Sequence, residues 1–131
     1  MRVISFILMV LLFSCEKETF NKIQVGNWGT EHASLTVNQL SWYFEFDCAN
    51  VTVQEPVTFS DGKFETDALY YRESGVQLDD PDFYKAIPSK VSGSLLSNDK
   101  LELTMLVGPD LENYGTYTFV YDQEGNVYKC P

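Results

Sequence analysis

The stretch WGTEHASLTVNQLSWYFEFDCA, from Trp28 to Ala49, decides the fold of this chain. Apolar and polar residues alternate over residues 30–37 and again over residues 41–48, which is the period of a half-buried β-strand. The residues that we expect on the inward face of these two strands are Ala33, Leu35, Val37, Trp42, Phe44, Phe46 and Cys48. The stretch therefore predicts an antiparallel hairpin with one apolar face.

The same alternation continues to the C-terminus in short segments separated by turn residues. These segments predict strands over residues 50–54, 57–60, 63–67, 69–73, 90–96, 101–107, 115–121 and 127–130. The dipeptide Asp61-Gly62 suits the positive φ angles of a tight hairpin turn, whereas the pattern lapses over residues 75–88. Because closure of a sheet removes its unpaired edges, we predict an all-β fold, a small antiparallel up-and-down barrel of about eight strands.

The N-terminus carries a separate signal. Arg2 precedes an apolar run over residues 3–13, which is too short to cross a bilayer core of about 30 Å and is typical of a secretory signal peptide. Leu12-Phe13-Ser14-Cys15 resembles the bacterial lipobox, and Glu16-Lys17-Glu18 resembles the tether of Bacteroidetes-type lipoproteins. The resemblance implies cleavage before Cys15 and acylation of that cysteine, for example with palmitate.

This resemblance divides the chain into three parts. Residues 1–14 are the expected signal peptide, residues 15–24 the acylated tether, and residues 25–131 a single barrel domain. Two or three buried acyl chains hold a protein lastingly at a membrane. We therefore expect an outer-membrane lipoprotein of the bacterial cell envelope that faces the periplasm or the outside.

The charge of the chain excludes one class of partner. The formal net charge is −10, from 9 Lys and Arg against 19 Asp and Glu, and the basic residues form no cluster. Neutralisation of phosphates by basic side chains supplies most of the affinity for nucleic acids. We therefore expect no nucleic-acid binding.

Two cysteines remain once Cys15 is acylated. In an oxidising compartment, Cys48 and Cys130 allow one disulfide, which would close a long loop and stabilise the fold by roughly 2–4 kcal/mol. A reactive thiol or a metal ligand is the alternative, but neither cysteine lies in a Cys-x-x-Cys motif or near a histidine in the sequence. A disulfide is therefore the preferred interpretation.

Two further resemblances concern the fold. Gly26-Asn27-Trp28 resembles the G-x-W motif of lipocalin-like barrels, in which the tryptophan closes one end and an arginine packs over it; Arg72 and Lys129 are only loose counterparts of that arginine. More broadly, the chain resembles small uncharacterised bacterial lipoproteins with W-G-x-x-H, F-D-C-A and G-x-(F/Y) elements and a terminal cysteine. The elements begin here at Trp28, Phe46 and Gly115 and end with Cys130. The resemblance implies one fold and supports the disulfide, and it implies no known activity.

The only histidine is the first candidate site residue. If the first two strands pair with their apolar sides together, the two registers that a four-residue loop favours place His32 across from Glu45 or Asp47. Such a pair could act in acid–base chemistry or bind a ligand, or it could simply fix the register on the solvated face. We prefer the structural interpretation and predict no catalytic residue and no metal site, because no nucleophile, second histidine or further ligand converges here.

The second candidate lies where the strand pattern lapses. Asp79, Asp80 and Asp82 could bind a ligand or Ca²⁺, but their spacing does not match an EF-hand loop, and a solvated acidic loop is the preferred interpretation. Three tyrosines that we expect to be exposed could stack on sugar rings or simply cover the sheet. They are Tyr43, Tyr70 and Tyr84.

These observations favour a non-catalytic binding module without a cofactor. Its partner would be an envelope or extracellular protein, or a small ligand met at the loop end of the barrel. The alternatives are a small enzyme that uses His32 with Glu45 or Asp47, and a surface-held inhibitor of a hydrolase. A barrel interior filled with side chains would argue against a small ligand inside it.

Overall fold

Segments of alternating polarity form eight antiparallel strands, which close into a barrel in chain order. This computed structural model of the protein describes residues 20–130. The strands are β1 (Gly26–Thr30), β2 (Ala33–Val37), β3 (Trp42–Phe46), β4 (Ala49–Val53), β5 (Lys63–Arg72), β6 (Ile87–Ser97), β7 (Lys100–Val107) and β8 (Glu112–Tyr121). The pairing of β1 with β8 closes the ring, with Trp28 opposite Tyr121. The predicted all-β barrel is confirmed.

Side chains fill the interior of the barrel. Phe44 and Phe119 are both fully buried, and their ring centroids lie 5.9 Å apart. Full burial of side chains of this size stabilises a fold by roughly 1.5–3 kcal/mol each. The other fully buried large side chains are Trp28, Leu35, Val37, Val51, Val53, Val91, Leu101, Leu103 and Met105. The filled core of the described residues argues against a deep ligand cavity between the strands.

Four predicted strands differ from the observed ones, for reasons that are not local. Residues 57–60 do not form a strand, because β4 pairs directly with β5 and leaves no edge for them; only Ser60 makes a bridge, to Lys63. Residues 63–67 and 69–73 belong to one continuous strand, β5. Residues 127–130 do not form a strand either, since β1 is already flanked by β2 and β8.

Two tight turns rest on residues with positive φ. Asp61 and Gly62 have φ angles of 51° and 75°, and the backbones of Ser60 and Lys63 exchange hydrogen bonds across them, as predicted. His32 has a φ of 68° and lies in the turn between β1 and β2. The prediction that His32 is part of a strand over residues 30–37 is therefore wrong.

The two ends of the barrel differ. The tether end is the one where the described chain begins: Phe20 and Ile23 pack against the core there, and the Gln24 carbonyl accepts from the Trp28 indole N–H at 3.0 Å. Gln24 also donates to the carbonyl of Asn98, in the turn after β6. The clasp end is the opposite one and carries the turns after β1, β3 and β7 and the long loop after β5.

The predicted Cys15 and signal peptide lie outside the described residues. Within residues 20–130, no helix has the length and apolar character needed to cross a membrane. One short 3₁₀ helix, Pro81–Tyr84, lies in the loop between β5 and β6.

Candidate functional site

The C-terminal segment, residues 122–130, lies outside the barrel and is here called the strap. It leaves β8 at the tether end and follows β1 to the clasp end. Asp122 N–H donates to the Asn27 carbonyl at 2.8 Å, and Asn126 N–H donates to the Thr30 carbonyl at 3.1 Å. The Asn126 carbonyl in turn accepts from His32 N–H at 2.8 Å. The strap therefore covers the outer side of β1 along most of its length.

Two glycines allow this close approach. A Cβ atom on Gly29 would collide with the backbone of Gln123 and Gly125, and a Cβ atom on Gly125 would collide with the carbonyl of Ala33. Gly29 is buried although it points away from the core, because the strap lies on it. The glycine of the W-G-x-x-H element thus has a structural role.

A disulfide fastens the end of the strap. Cys48 and Cys130 are bonded, with their Cα atoms 5.2 Å apart, as the sequence predicts. Cys130 N–H also donates to the Asp47 carbonyl at 3.1 Å. The prediction that Cys48 points into the core is wrong: it lies exposed in the β3–β4 turn, where only an outward side chain can reach the strap.

His32 and Asp47 meet beside this disulfide. The His32 Nδ1 and one carboxylate oxygen of Asp47 are 2.7 Å apart, and the other oxygen accepts from Tyr128 N–H at 2.8 Å. Glu45, the other predicted partner, lies opposite Ser34. Glu45 instead lines an outer groove of about 560 Å³ together with Asp122 and other strap residues. Asp47 therefore joins the β1–β2 turn to the strap.

Glu31 holds the strap from the other side. Its two carboxylate oxygens accept from the Asn126 side-chain amide at 3.0 Å and from the Tyr128 hydroxyl at 2.9 Å. These two hydrogen bonds lower the pKa of Glu31, and the bond to Glu31 raises the pKa of Tyr128. The Tyr128 ring also lies 5.2 Å from the imidazole of His32, measured between centroids. We call the strap contacts of Glu31, His32, Asp47 and Cys48 the clasp.

Lys129 adds one more contact, to the start of the loop after β5. It donates to Glu73 at 2.7 Å and to the carbonyl of Phe46 at 3.4 Å. Burial is the largest single influence on the pKa of Lys129 and lowers it, but the hydrogen bond to Glu73 and the nearby negative charges together outweigh burial, so the pKa is raised. Asn50 donates to the second oxygen of Glu73 at 3.1 Å. Hydrogen bonds of charged groups therefore connect the strap to Phe46 in β3 and, by way of Glu73, to Asn50 in β4.

A small concavity, the tyrosine cup, opens beside the clasp. It has a volume of about 190 Å³ and is lined by His32, Phe46, Asp47, Cys48, Ala49, Tyr70, Met105, Tyr114 and Tyr117. The rings of Tyr70 and Tyr114 are perpendicular, with centroids 5.6 Å apart. Burial raises the pKa of Tyr70 and Tyr117. The cup is the shallow mouth of the otherwise filled barrel.

Tyr117 reaches the cup because of a glycine two residues before it. A Cβ atom on Gly115 would lie 3.2 Å from the Tyr117 ring, and Gly115 has a φ of 139°. The Tyr117 ring thus packs over bare backbone and meets Phe46 at a centroid distance of 5.0 Å. This contact explains why the G-x-(F/Y) element combines a glycine with an aromatic residue two positions later.

A larger cleft of about 680 Å³ lies on the outer wall, between β4, β5 and the loop that follows β5. Its lining includes Asn50, Gln54, Tyr71 and Tyr84. Arg72, also at its edge, donates to the carbonyls of Asp82 and Phe83 and lies 4.6 Å from the centroid of the Phe83 ring. Arg72 therefore fixes the 3₁₀ helix against the barrel.

Trp28 has a tyrosine as its aromatic neighbour. Its ring meets that of Tyr121 at 5.1 Å. Arg72 contacts the 3₁₀ helix and Lys129 contacts Glu73. The two basic residues that could correspond to the lipocalin arginine are thus bonded elsewhere.

The acidic loop does not converge with His32. Asp80 accepts from Asp82 N–H at 2.9 Å and so caps the 3₁₀ helix, Asp82 forms an ion pair with Lys85 at 2.6 Å, and Asp79 is exposed. No set of three or more His, Cys, Asp or Glu side chains within residues 20–130 is arranged to hold a metal ion. The contacts of Asp80 and Asp82 are therefore confined to their own loop.

The tyrosines predicted to be exposed have different surroundings. Tyr43 is exposed on the outer face of β3, and Tyr84 is exposed and accepts from Leu78 N–H. Tyr70 is half-buried in the cup, so the prediction that it is exposed is wrong. Three residues of the clasp and the cup, Tyr114, Tyr128 and Glu31, were not identified from the sequence. Only the G-x-(F/Y) element, which begins at Gly115, indicated a feature close to them.

Comparisons with protein-family models, with curated proteins and with solved structures found no match to this chain. The clasp, the cup and the cleft all lie at or beside one end of the barrel.

Proposed function

We propose that this protein is a lipid-anchored, non-catalytic binding module of the bacterial cell envelope, with its clasp end directed away from the membrane. The observation that carries this proposal is the position of the tether. Phe20 and Ile23 pack at the tether end, whereas the cup and the cleft open at or near the clasp end. The lipobox-like sequence ending in Cys15 supports the anchor.

The short distance between anchor and barrel supports the orientation. Phe20 lies five positions after Cys15, and five steps along an extended chain span at most about 18 Å. An acylated Cys15 would therefore hold the tether end close to the bilayer surface. The clasp end would then face the periplasm or the outside, where partners are met.

The clasp itself favours binding over catalysis. Both oxygens of Asp47 are engaged, one by His32 and one by the strap. Two groups in contact with the clasp that could serve as nucleophiles are occupied, because the Tyr128 hydroxyl donates to Glu31 and Cys48 is in the disulfide. The rival function is an enzyme in which Asp47 orients His32 as a general base, and the 2.7 Å contact between them is the one observation in its favour.

The anchor is tested by growing expressing cells with radiolabelled palmitate. We expect label in the wild-type protein and in Cys48→Ala, and none in Cys15→Ala. Cys48→Ala is the matched control, because it removes a cysteine that we assign to the disulfide. Label that persists in Cys15→Ala would contradict the anchor.

The orientation is tested with a fluorophore at either end. Leu40 and Leu111 are exposed leucines, 68% and 39% accessible, in turns at the tether end and the clasp end respectively. Leu40→Cys and Leu111→Cys provide one labelling site each, and the lipidated proteins are placed in vesicles that contain brominated lipid as quencher. We expect stronger quenching at position 40; equal quenching, or stronger quenching at position 111, would contradict the orientation.

A further inference from the structure

The walls of the tyrosine cup are aromatic. Tyr70 and Tyr114 stand at right angles, and Tyr117 lies on the side of Phe46. Met105, buried, closes the floor. The faces of aromatic rings carry partial negative charge, so a group enclosed by several rings meets a negative electrostatic surface.

The phenol hydroxyls of the cup have no partner in the described chain. Within residues 20–130, the hydroxyls of Tyr84, Tyr121 and Tyr128 make hydrogen bonds, whereas those of Tyr70, Tyr114 and Tyr117 make none. Buried polar groups in proteins are mostly paired with protein or with ordered water, and of these tyrosines Tyr70 and Tyr117 are half-buried and Tyr114 is exposed. Three neighbouring phenol oxygens thus remain available as acceptors at one small site.

The charges around the cup select the sign of its ligand. No Lys or Arg is among the described residues that line it, and Asp47 is. The only basic group on the rim, His32, already faces Asp47 through Nδ1. With a net charge of −10 on the whole chain, the site would repel an anion and attract a cation.

The size of the cup limits how much of a ligand can enter. Sites for drug-sized ligands have volumes of about 300–1,000 Å³. A cup of about 190 Å³ accommodates one compact group, with the remainder of the molecule outside. A purely apolar group would fill the space but would bring no positive charge to the negative faces of the rings.

We propose that the tyrosine cup binds an organic ammonium group, held by the rings of Tyr70, Tyr114 and Tyr117; a primary ammonium would in addition donate to their hydroxyl oxygens. The inference rests on the proposed function in one respect, that the clasp end is the binding end. The ammonium group belongs either to a lysine side chain or to a quaternary ammonium compound. Cation–π contacts stabilise both, and the probes below distinguish them.

The test is a titration of the mature lipidated protein in dodecyl maltoside, a detergent with a sugar head group and no ammonium. Binding is followed by NMR of the tyrosine rings at constant ionic strength. The probes are tetramethylammonium chloride, Nα-acetyl-lysine methylamide and tert-butanol, a neutral compound of similar shape. We expect saturable shifts with at least one cation and an affinity for tert-butanol at least tenfold lower.

Two variants locate the binding. Tyr114 is 49% accessible, so Tyr114→Leu removes a wall of the cup without opening the core, and we expect at least a fivefold loss of affinity. Tyr43→Leu is the matched control, because Tyr43 is 37% accessible and lies on the outer face of β3. Its affinity for the cation should equal that of the wild type.

Three outcomes would overturn the inference: no saturable binding of either cation, binding of tert-butanol as tight as that of the cations, or an equal loss in Tyr43→Leu and Tyr114→Leu. Tighter binding of the lysine derivative would point to a protein partner, and tighter binding of tetramethylammonium to a quaternary ammonium compound. None of these outcomes affects palmitate labelling or fluorophore quenching. Failure of this inference is therefore distinguishable from failure of the proposed function.

Discussion

The two ends of this barrel are closed by different means. At the tether end, the Trp42 ring packs among Phe59 and Phe64, and Phe20 and Ile23 add to the apolar cover. At the clasp end, a disulfide and charged hydrogen bonds hold the strap across the rim. Apolar packing is non-directional and proportional to the area buried, whereas a hydrogen bond acts between particular atoms. The clasp can therefore hold the chain firmly while the cup beside it stays open.

The largest effect is expected at the apolar end. Trp42 is only 3% accessible, and its replacement by alanine removes the ring around which Phe59 and Phe64 pack. We expect Trp42→Ala to lower the free energy of unfolding by about 3–5 kcal/mol, measured by urea denaturation. Tyr43→Ala, at the neighbouring outward position, is the control and should cost less than half as much. Equal losses of unfolding free energy in Trp42→Ala and Tyr43→Ala would mean that the Trp42 ring does not stabilise the tether end.

Removal of the disulfide is the matching change at the clasp end. The bonded cysteines are 82 residues apart, so the bond restricts a long loop of the unfolded chain. We expect Cys48→Ser with Cys130→Ser to lower the free energy of unfolding by about 2–4 kcal/mol. Hydrogen exchange should accelerate at the backbone amides of Tyr128 and Cys130 and stay unchanged in β6 and β7.

The wild-type protein in dithiothreitol is the control for this change. Reduction leaves both cysteines in place, so it should reproduce the exchange pattern of the double variant. Faster exchange throughout the barrel would show that the disulfide supports the whole fold, and the contrast between the two ends would then be wrong.

The strands could be predicted from the sequence because their signal is local. Alternation over residues 33–37 and 42–46 is enough to identify the inward face, since successive side chains in a strand point to opposite sides. Parity of the register placed His32 within reach of Glu45 or Asp47, and the observed partner is Asp47. The turn at Asp61-Gly62 follows from the φ angles that its residues tolerate.

The strap and the cup could not be predicted, because they depend on which edges and faces are already occupied. Residues 127–130 alternate like a strand, but every strand of a closed barrel already has two neighbours. The cup combines Tyr70, Met105 and Tyr114, which come from β5, β7 and β8. Gly29 was recognisable as part of a motif. Why a glycine is needed there, namely that the strap passes directly over it, is seen only in the structure.

Gly29 gives a smaller and more specific test of the strap. A Cβ atom there would meet backbone atoms of Gln123 and Gly125, which a side-chain rotation cannot relieve. We expect Gly29→Ala to lower the free energy of unfolding by about 1–3 kcal/mol, as overpacking does. Measured in the Cys48→Ser, Cys130→Ser background, the cost should fall, because the freed strap can lift. An undiminished cost would place the strain in β1 and not in its contact with the strap.

Asp47 tests whether the clasp depends on charge or on hydrogen bonding. Its carboxylate accepts from Tyr128 N–H and faces His32, whose side chain is 56% accessible, so the contact with the exposed imidazole contributes little. We expect Asp47→Ala to lower the free energy of unfolding by roughly 1–2 kcal/mol, because the amide of Tyr128 loses its acceptor. Asp47→Asn keeps an acceptor oxygen and should cost less than half of that. Equal costs for the two variants would mean that the charge matters more than the acceptor.

The smallest effect is expected at Glu31, and it is a dependence of the stability of the strap on pH. Hydrogen bonds from Asn126 and Tyr128 lower the pKa of Glu31 in the folded protein. The stability that this carboxylate contributes is therefore present above the ordinary glutamate pKa of about 4.3 and is lost as the pH falls through the lowered value. As the pH falls from about 7 to about 3, the protection of the Asn126 and Tyr128 amides against hydrogen exchange, relative to the intrinsic exchange rate at each pH, should fall more in the wild type than in Glu31→Gln, which lacks the titrating group.

Glu124→Gln is the control for this experiment, because Glu124 is an exposed carboxylate of the strap itself. It should keep the wild-type pH dependence. If the tether end, followed at the indole N–H of Trp28, loosens at the same pH as the strap, then acid weakens the barrel as a whole. If only the strap responds, the free energy of opening the strap is independent of the stability of the tether end. A ligand at the clasp end could then be released by local opening of the strap, without unfolding of the core.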